Sequence, residues 1–250
     1  MEQRVRVHKV RLGGGEVRVV RPEPAPARLA LRDDGHWLSM YADRDGAERL
    51  TALWALAARS ARSLVHLPVR ANPAPHGAVG EGEPVALDLV LAHHSLQFPT
   101  AAWKRVRARL GAGSPHTAST PDRDFPEAGA IDHDRRHHPT YRDHLGFDIA
   151  AHTLFLVGSA TAFREHGTAL RGLVDEAPSH WHRHPGAGHF CVEFSSGPWA
   201  RPRTRRHVPG VLHIEYCEDW PVRLGAPAPG AAGTPPGTAP PVPAAARNRR

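Results

Sequence analysis

Residues 143–220 constrain the fold most, because regular apolar patterns alternate there with clear breaks. An apolar segment at 152–157 leads into a helical pattern that has Ser159 at its start. Two segments with strict apolar and polar alternation follow at 189–194 and 211–217. A period of two predicts half-buried strands, whereas a spacing of about 3.6 residues predicts a helix. The stretch is therefore expected to form a strand, a helix and two further strands, with Ser159 as the helix N-cap.

The same order of elements recurs, with weaker patterns, in the first half of the chain. Residues 36–41 lead into an amphipathic helix, and strands are predicted at 64–69 and 85–91. At a fixed offset the apolar stripes of the two helices align, so that four residues of one meet four of the other: Ala47, Leu50, Trp54 and Ala57 with Phe163, His166, Leu170 and Leu173. An internal duplication explains this match, but β-α-β-β is also an order that recurs by chance.

The predicted fold class is α+β: a mainly antiparallel sheet packed against two or three helices, built from two related β-α-β-β units. Each unit has one apolar helix stripe and one apolar sheet face, and packing them together buries both. The two units either share one continuous antiparallel sheet or pack as pseudo-twofold halves.

The patterns divide the chain into five segments: a peripheral N-terminal β-hairpin (1–27), the first unit with a connecting helix (28–110), a long loop or mobile insertion (111–142), the second unit (143–222) and a disordered tail (223–250). The hairpin is expected to be peripheral because its alternation leaves a face of Arg and His exposed. The third segment has no periodicity, which in so long a loop indicates function or mobility. The tail is rich in Pro, Ala and Gly and cannot bury enough apolar surface to offset its loss of conformational entropy.

The formal net charge of +7 would suit nucleic acid as a partner. All basic side chains except Lys9 and Lys104 are Arg, and Ala, Gly and Pro are abundant, which is typical of genomic GC bias. No run reaches the roughly 18 apolar residues of a membrane helix. The first residues also lack the apolar core of a secretory signal. We therefore expect a cytoplasmic protein without a membrane partner.

The last two predicted strands carry the candidate site. If they pair, alternation places six side chains on one face, within cross-strand reach of one another: His189, Cys191, Glu193, His213, Glu215 and Cys217. His, Cys and Glu are ligands for zinc, and Glu also serves as a general base. Neither strand has the CxxC or HExxH spacing of established zinc motifs, and in a chain with 19 His such a face also arises as ordinary solvated surface. The two Cys are expected to be thiols, because nothing indicates an oxidising compartment.

The chain has no catalytic motif of high specificity. Gly158 and Ser159 lie between a strand and a helix, but the second Gly of the GxSxG nucleophile motif is missing. The His-rich segments at 132–138 and 180–184 are expected to be polar loops. These observations favour a non-catalytic binding or regulatory module for a protein or small-molecule partner. The first alternative is a metal-dependent hydrolase that uses zinc on the His/Cys/Glu face, and the second is a nucleic-acid-binding protein that uses the Arg-rich helix and loops.

Overall fold

A computed structural model describes the following residues: 1–25, 28–75, 84–184, 186, 188–197, 208–218 and 220. Within them, twelve strands form one sheet of seven strands and one of five. The strands are β1 (Glu2–Leu12), β2 (Gly15–Pro22), β3 (Leu29–Asp33), β4 (Leu38–Ala42), β5 (Ser63–Leu67), β6 (Val85–Ala86), β7 (Asp88–His93), β8 (Ser114–Ser119), β9 (Gly146–Ala150), β10 (Thr153–Gly158), β11 (Phe190–Ser195) and β12 (Val211–Tyr216). The α-helices are α1 (Arg44–Arg59), α2 (Trp103–Arg107), α3 (Ala160–Asp175) and α4 (Ala177–Arg183). The predicted disordered tail lies outside these residues.

The fold class is α+β, as predicted, and both sheets are mixed. The first sheet has the order β8-β1-β2-β5-β7-β10-β9, and the second has the order β11-β12-β4-β3-β6. Most neighbouring strands are antiparallel, but β2 pairs with β5, β7 with β10 and β4 with β12 in parallel. One hydrophobic core joins the two sheets and the long helices, since Leu53 of α1, Leu156 of β10 and Ile214 of β12 belong to the same buried cluster.

The two predicted units occupy equivalent positions. In each unit, one antiparallel strand pair precedes the long helix and another pair follows it. The pair before α1 (β3–β4) lies in the five-stranded sheet, and the pair after it (β5–β7) lies in the seven-stranded sheet. In the second unit, the pair before α3 (β9–β10) lies in the seven-stranded sheet and the pair after it (β11–β12) lies in the five-stranded sheet. The parallel pairings β7–β10 and β4–β12 join the two units. Both units therefore contribute strands to both sheets, and they do not form one continuous antiparallel sheet.

The helices α1 and α3 match in length and capping, and they pack on each other. Each has 16 residues, and the N-caps Asp43 and Ser159 each accept a hydrogen bond from the backbone N–H three residues later. Trp54 is fully buried between them, where its Nε1 donates to the carbonyl of Phe163 at 2.8 Å. The two stripes that align in the sequence thus meet in space. A duplication of one ancestral unit stays a prediction.

The N-terminal hairpin forms as predicted but is not peripheral. It lies inside the seven-stranded sheet, because β8 pairs with β1 and β5 pairs with β2. Val5 and Val20 consequently belong to the main core. The alternating Val residues are the ones that make this burial favourable.

The segment 111–142 is not a plain loop, because it supplies β8 and buries Phe125 and Tyr141. Pro178 lies in the first turn of α4, and most of the His-rich segment 180–184, which was predicted to be a loop, belongs to this helix. A helix tolerates Pro in its first turn, where the missing N–H has no partner in any case.

No helix in the described part of the chain combines the length and apolar character needed to cross a bilayer.

Candidate functional site

The candidate site lies on the pair β11–β12, at one edge of the five-stranded sheet. The strands are adjacent and antiparallel, with Cys191 opposite Glu215 and Glu193 opposite His213. The alternate side chains, such as Ile214, are buried in the core. The outer face therefore carries the polar residues that the alternation predicted there.

Three of these side chains converge. His189, Cys191 and His213 each offer one ligand atom, and the three atoms all lie within 4.8 Å of one another. The centroids of the two imidazole rings are 5.4 Å apart. His189 is exposed, while Cys191 and His213 are partly buried, so an ion can reach this group from solvent. We call the three residues the His/Cys/His cluster.

Glu193 supports the cluster without belonging to it. Its carboxylate oxygen lies 3.1 Å from Nδ1 of His213. An ionised carboxylate only accepts hydrogen bonds, so Nδ1 donates, and Nε2 of the neutral ring keeps a free lone pair. In metal sites a carboxylate in this position fixes the tautomer and the orientation of the ligating ring. Glu193 is thus placed to orient His213.

Glu215 and Cys217 lie outside the cluster, so the structure does not bring all six predicted residues together. Cys217 packs instead with Tyr41 and Trp220. Burial, with a smaller contribution from Glu215, raises the pKa of Cys217 to about 12. It is therefore a protonated thiol at neutral pH, and its role is packing.

Cys191 is the thiol of the cluster. Both Cys have free thiols in the structure. Burial raises the pKa of the Cys191 thiol, and the negative charges of Glu193 and Glu215 add to the effect. Only the thiolate binds a metal, so an ion at this cluster would have to displace the thiol proton.

A groove runs along the free edge of β11 and adjoins the cluster. The cavity there measures about 830 Å³, and both Cys191 and Glu193 contribute to its wall. Glu165 lines it as well and accepts hydrogen bonds from Arg135 at 2.8 Å and from the hydroxyl of Tyr141 at 3.3 Å. The sequence pattern gives no sign of this network, because its members come from a loop and a helix.

His166 lines the same groove from α3. Its Nδ1 donates to the carbonyl of Ala162 at 2.8 Å, and its ring packs edge-on against Phe194. Burial lowers the pKa of His166 to about 4, against the opposing effect of the bond to Ala162. The ring is thus neutral at pH 7. Its place on an apolar helix stripe was the one sequence signal for this burial.

The corresponding strand pair of the first unit also carries polar residues on its outer face, but α2 covers them. Trp103 packs edge-on against His66, with ring centroids 4.9 Å apart, and Arg107 donates to Asp88 at 3.2 Å. His66 is 1% exposed, and its Nε2 lies 3.8 Å from Asp88, which is too long for a hydrogen bond. Burial lowers the pKa of His66 despite the nearby carboxylate.

The other motifs have structural roles. Ser159 caps α3 as predicted, accepting from the N–H of Ala162 at 3.0 Å and donating to Asp143 at 2.5 Å. The role of Ser159 is therefore that of a helix cap. On α4, His180 packs against Phe190, whose side chain contacts the main core.

Comparisons with protein-family models, curated proteins and solved structures find no match to this chain. A proposal about function therefore depends on the residues and their geometry alone. Among the residues with known placement, the His/Cys/His cluster is the one group of three or more side chains that could hold a metal ion.

Proposed function

We propose that this protein is a non-catalytic binding protein that holds a zinc ion through His189, Cys191 and His213. The observation that carries the proposal is the convergence of the three ligand atoms to within 4.8 Å. Imidazole nitrogen and thiolate sulfur are the ligands that zinc prefers in proteins. Sites with three protein ligands leave the fourth tetrahedral position open for another molecule.

The distances support this ligand set. Zinc bonds of about 2.0–2.3 Å place tetrahedral ligand atoms about 3.5 Å apart. The three atoms already lie within 4.8 Å of one another, so each pair has to approach by no more than about 1.3 Å. Paired strands fix the backbone positions of Cys191 and His213, which reduces the entropy lost when the ion binds.

The role of Glu193 favours binding over hydrolysis. A zinc hydrolase needs a base within hydrogen-bond reach of the metal-bound water. Glu193 is the carboxylate that is hydrogen-bonded to the cluster. Because this bond goes to His213, the carboxylate is not free to accept a proton from such a water. We therefore assign the open position to a donor atom of a small-molecule or protein partner, and we assign Glu193 to orientation of the ring.

Zinc content separates this proposal from the alternative of a solvated polar face. After loading in chelator-buffered zinc and gel filtration, the wild-type chain is expected to retain one zinc ion per molecule. Cys191→Ser and His213→Ala should each lose it, because two protein ligands do not hold zinc against a chelator. Glu193→Gln should bind zinc about 10- to 100-fold more weakly, which is typical for loss of an orienting carboxylate.

Cys217→Ser provides the matched control. It changes the same residue type next to the same strand pair, at a partly buried thiol outside the cluster. It should retain zinc as the wild type does. Equal zinc retention by Cys191→Ser and wild type, or equal loss in both Cys variants with native circular dichroism, would contradict the proposal.

A further inference from the structure

A second cavity, rich in arginine, is lined by none of the residues of the His/Cys/His cluster. It measures about 750 Å³ and is formed where the end of β2, the start of β3 and the segment after β5 meet. A volume of this size suits a small organic molecule. Four guanidinium groups line it: Arg6, Arg21, Arg28 and Arg49.

The positive charge of this cavity is poorly compensated. Glu23 is the single carboxylate among its described lining residues, and it pairs with Arg6 at 3.3 Å. Arg28 donates to the backbone carbonyl of Trp220 at 2.5 Å, and Arg49 donates to the backbone carbonyl of Glu23. Backbone carbonyls satisfy hydrogen bonds but do not neutralise charge. The cavity therefore keeps a net positive charge.

Arg21 is the least satisfied of the four. It is half-buried and makes no hydrogen bond or ion pair with any residue that the structure describes, although Asp88 attracts it from a distance. Its cross-strand neighbour on β1 is Arg6, a like charge. Burial lowers the pKa of both Arg21 and Arg49, which is the signature of charges that solvent no longer stabilises fully. Such an arrangement costs folding free energy unless an anion completes it.

A buried donor in the same wall also lacks an acceptor. Trp220 is 2% exposed, and its indole Nε1 has no hydrogen-bond partner among the described residues. Buried polar atoms are nearly always paired, so this nitrogen indicates a ligand that completes its bond. Trp220 also gives the cavity an aromatic wall, next to the side chain of Leu29.

We propose that this cavity binds a small phosphate ester with an apolar or aromatic body. The planar fork of Arg donates two parallel hydrogen bonds to a phosphate, and a dianion compensates two guanidinium charges at once. Arg21 and Arg49 hold the phosphate, and the apolar wall around Leu29 and Trp220 receives the body. This site is independent of the zinc cluster.

Calorimetry with phenyl phosphate tests the assignment, with inorganic phosphate, benzoate and phenol as comparison ligands. Phenyl phosphate should bind saturably and more tightly than inorganic phosphate or benzoate, and phenol should not bind. Affinity should fall as salt rises, because the contacts are between charges. Arg21→Gln and Arg49→Gln should each weaken phenyl phosphate at least about tenfold, in line with loss of a charged hydrogen bond.

Arg18→Gln is the matched control, because Arg18 is exposed on the same strand and pairs opposite Lys9 rather than Arg6. It should leave the affinity unchanged. Arg21→Gln should also unfold at the same or a higher temperature without ligand, since it removes an uncompensated charge, so a loss of binding cannot be attributed to misfolding. Cys191→Ser should bind phenyl phosphate normally, which keeps this test separate from the zinc proposal. Absence of saturable binding, unchanged affinity in both Arg variants, or equal binding of benzoate would overturn the assignment.

Discussion

The strand pair that follows the long helix occupies equivalent places in the two units. Among the residues that the structure describes, its outer face is covered in the first unit and open in the second. In the first unit, α2 lies over β5–β7, so that Trp103 packs on His66 and Arg107 pairs with Asp88. In the second unit, the outer face of β11–β12 exposes His189 and leaves Cys191 partly exposed.

This difference decides what similar residues can do. His66 sits beside a carboxylate, as His213 does, but it is buried under an aromatic ring and kept neutral. A buried neutral imidazole without access to solvent serves packing. His213 has its carboxylate partner and a route to solvent, which are the conditions for binding an ion. The presence or absence of a covering helix, and not the residue types, therefore decides whether the face packs in the core or can bind an ion.

Removing the cover should have the largest effect on stability. Trp103→Ala deletes a fully buried side chain whose Nε1 donates to Thr153 at 2.9 Å. We expect a loss of about 3–5 kcal/mol in the free energy of unfolding, measured by urea denaturation. Trp37→Ala, at a side chain that is 53% exposed, should change it by less than about 0.5 kcal/mol. Similar losses in both variants would mean that α2 does not protect the first unit.

The second test replaces the buried His of the α3 stripe by Leu, the residue type at the aligned position of α1. His166 aligns with Leu50 in the helix stripes, and burial lowers its pKa from 6.5 to about 4. The unfolded chain takes up the proton as pH falls below about 6.5, whereas the folded chain resists until about pH 4, so stability falls through this window. The loss amounts to about 3 kcal/mol. The nearby charges of Arg136 and, when protonated, of His144 and His133 act in the same direction.

His166→Leu should therefore flatten the dependence of unfolding free energy on pH between about 6.5 and 4, as measured by denaturation at a series of pH values. His116→Leu is the control, because that ring is exposed on β8. A wild-type slope in the His166 variant would show that the residue does not remain buried and neutral in the folded chain.

Substitutions at the two helix N-caps are expected to have the smallest effects on stability, and they change equivalent positions in the two units. Ser159→Ala removes the cap bond from Ala162 and the bond to Asp143, and it should cost about 1 kcal/mol. Asp43→Ala should cost more, because it leaves two backbone N–H groups without their acceptor, those of Gly46 at 2.7 Å and Arg28 at 3.0 Å, whereas Ser159→Ala leaves one. Thermal unfolding measures both, with Ser159→Thr and Asp43→Asn as conservative controls. A larger cost at Ser159 would break the equivalence of the two units.

Local pattern was sufficient to predict much of the fold. The alternation at β11 and β12 indicates both strands and the side of the sheet that each residue occupies, because side chains in a strand alternate with period two. Helical spacing likewise identifies α1 and α3, and it places Trp54 on the stripe that meets the partner helix. These features depend on neighbours in the chain, and the sequence contains that information directly.

Features that depend on distant contacts were not predictable in this way. Cys217 alternates with His213 as a ligand would, but it packs against Tyr41, which comes from a distant part of the chain. Arg21 belongs to a face that the alternation predicts to be exposed, yet the insertion of the hairpin into the large sheet places it in a cavity. Charge and periodicity give no distances between such residues, so their roles become visible only in the folded chain.

X-ray absorption at the zinc edge tests the central claim most directly, because it reports the atoms bound to the ion. For the zinc-loaded wild-type protein we predict one sulfur at about 2.3 Å and two imidazole nitrogens at about 2.0–2.1 Å, with a light atom in the fourth position. Cys191→Ser should lose the sulfur, whereas Cys217→Ser should keep it. A shell of oxygen and nitrogen without sulfur in the wild type would contradict the assignment of the His/Cys/His cluster as the zinc site.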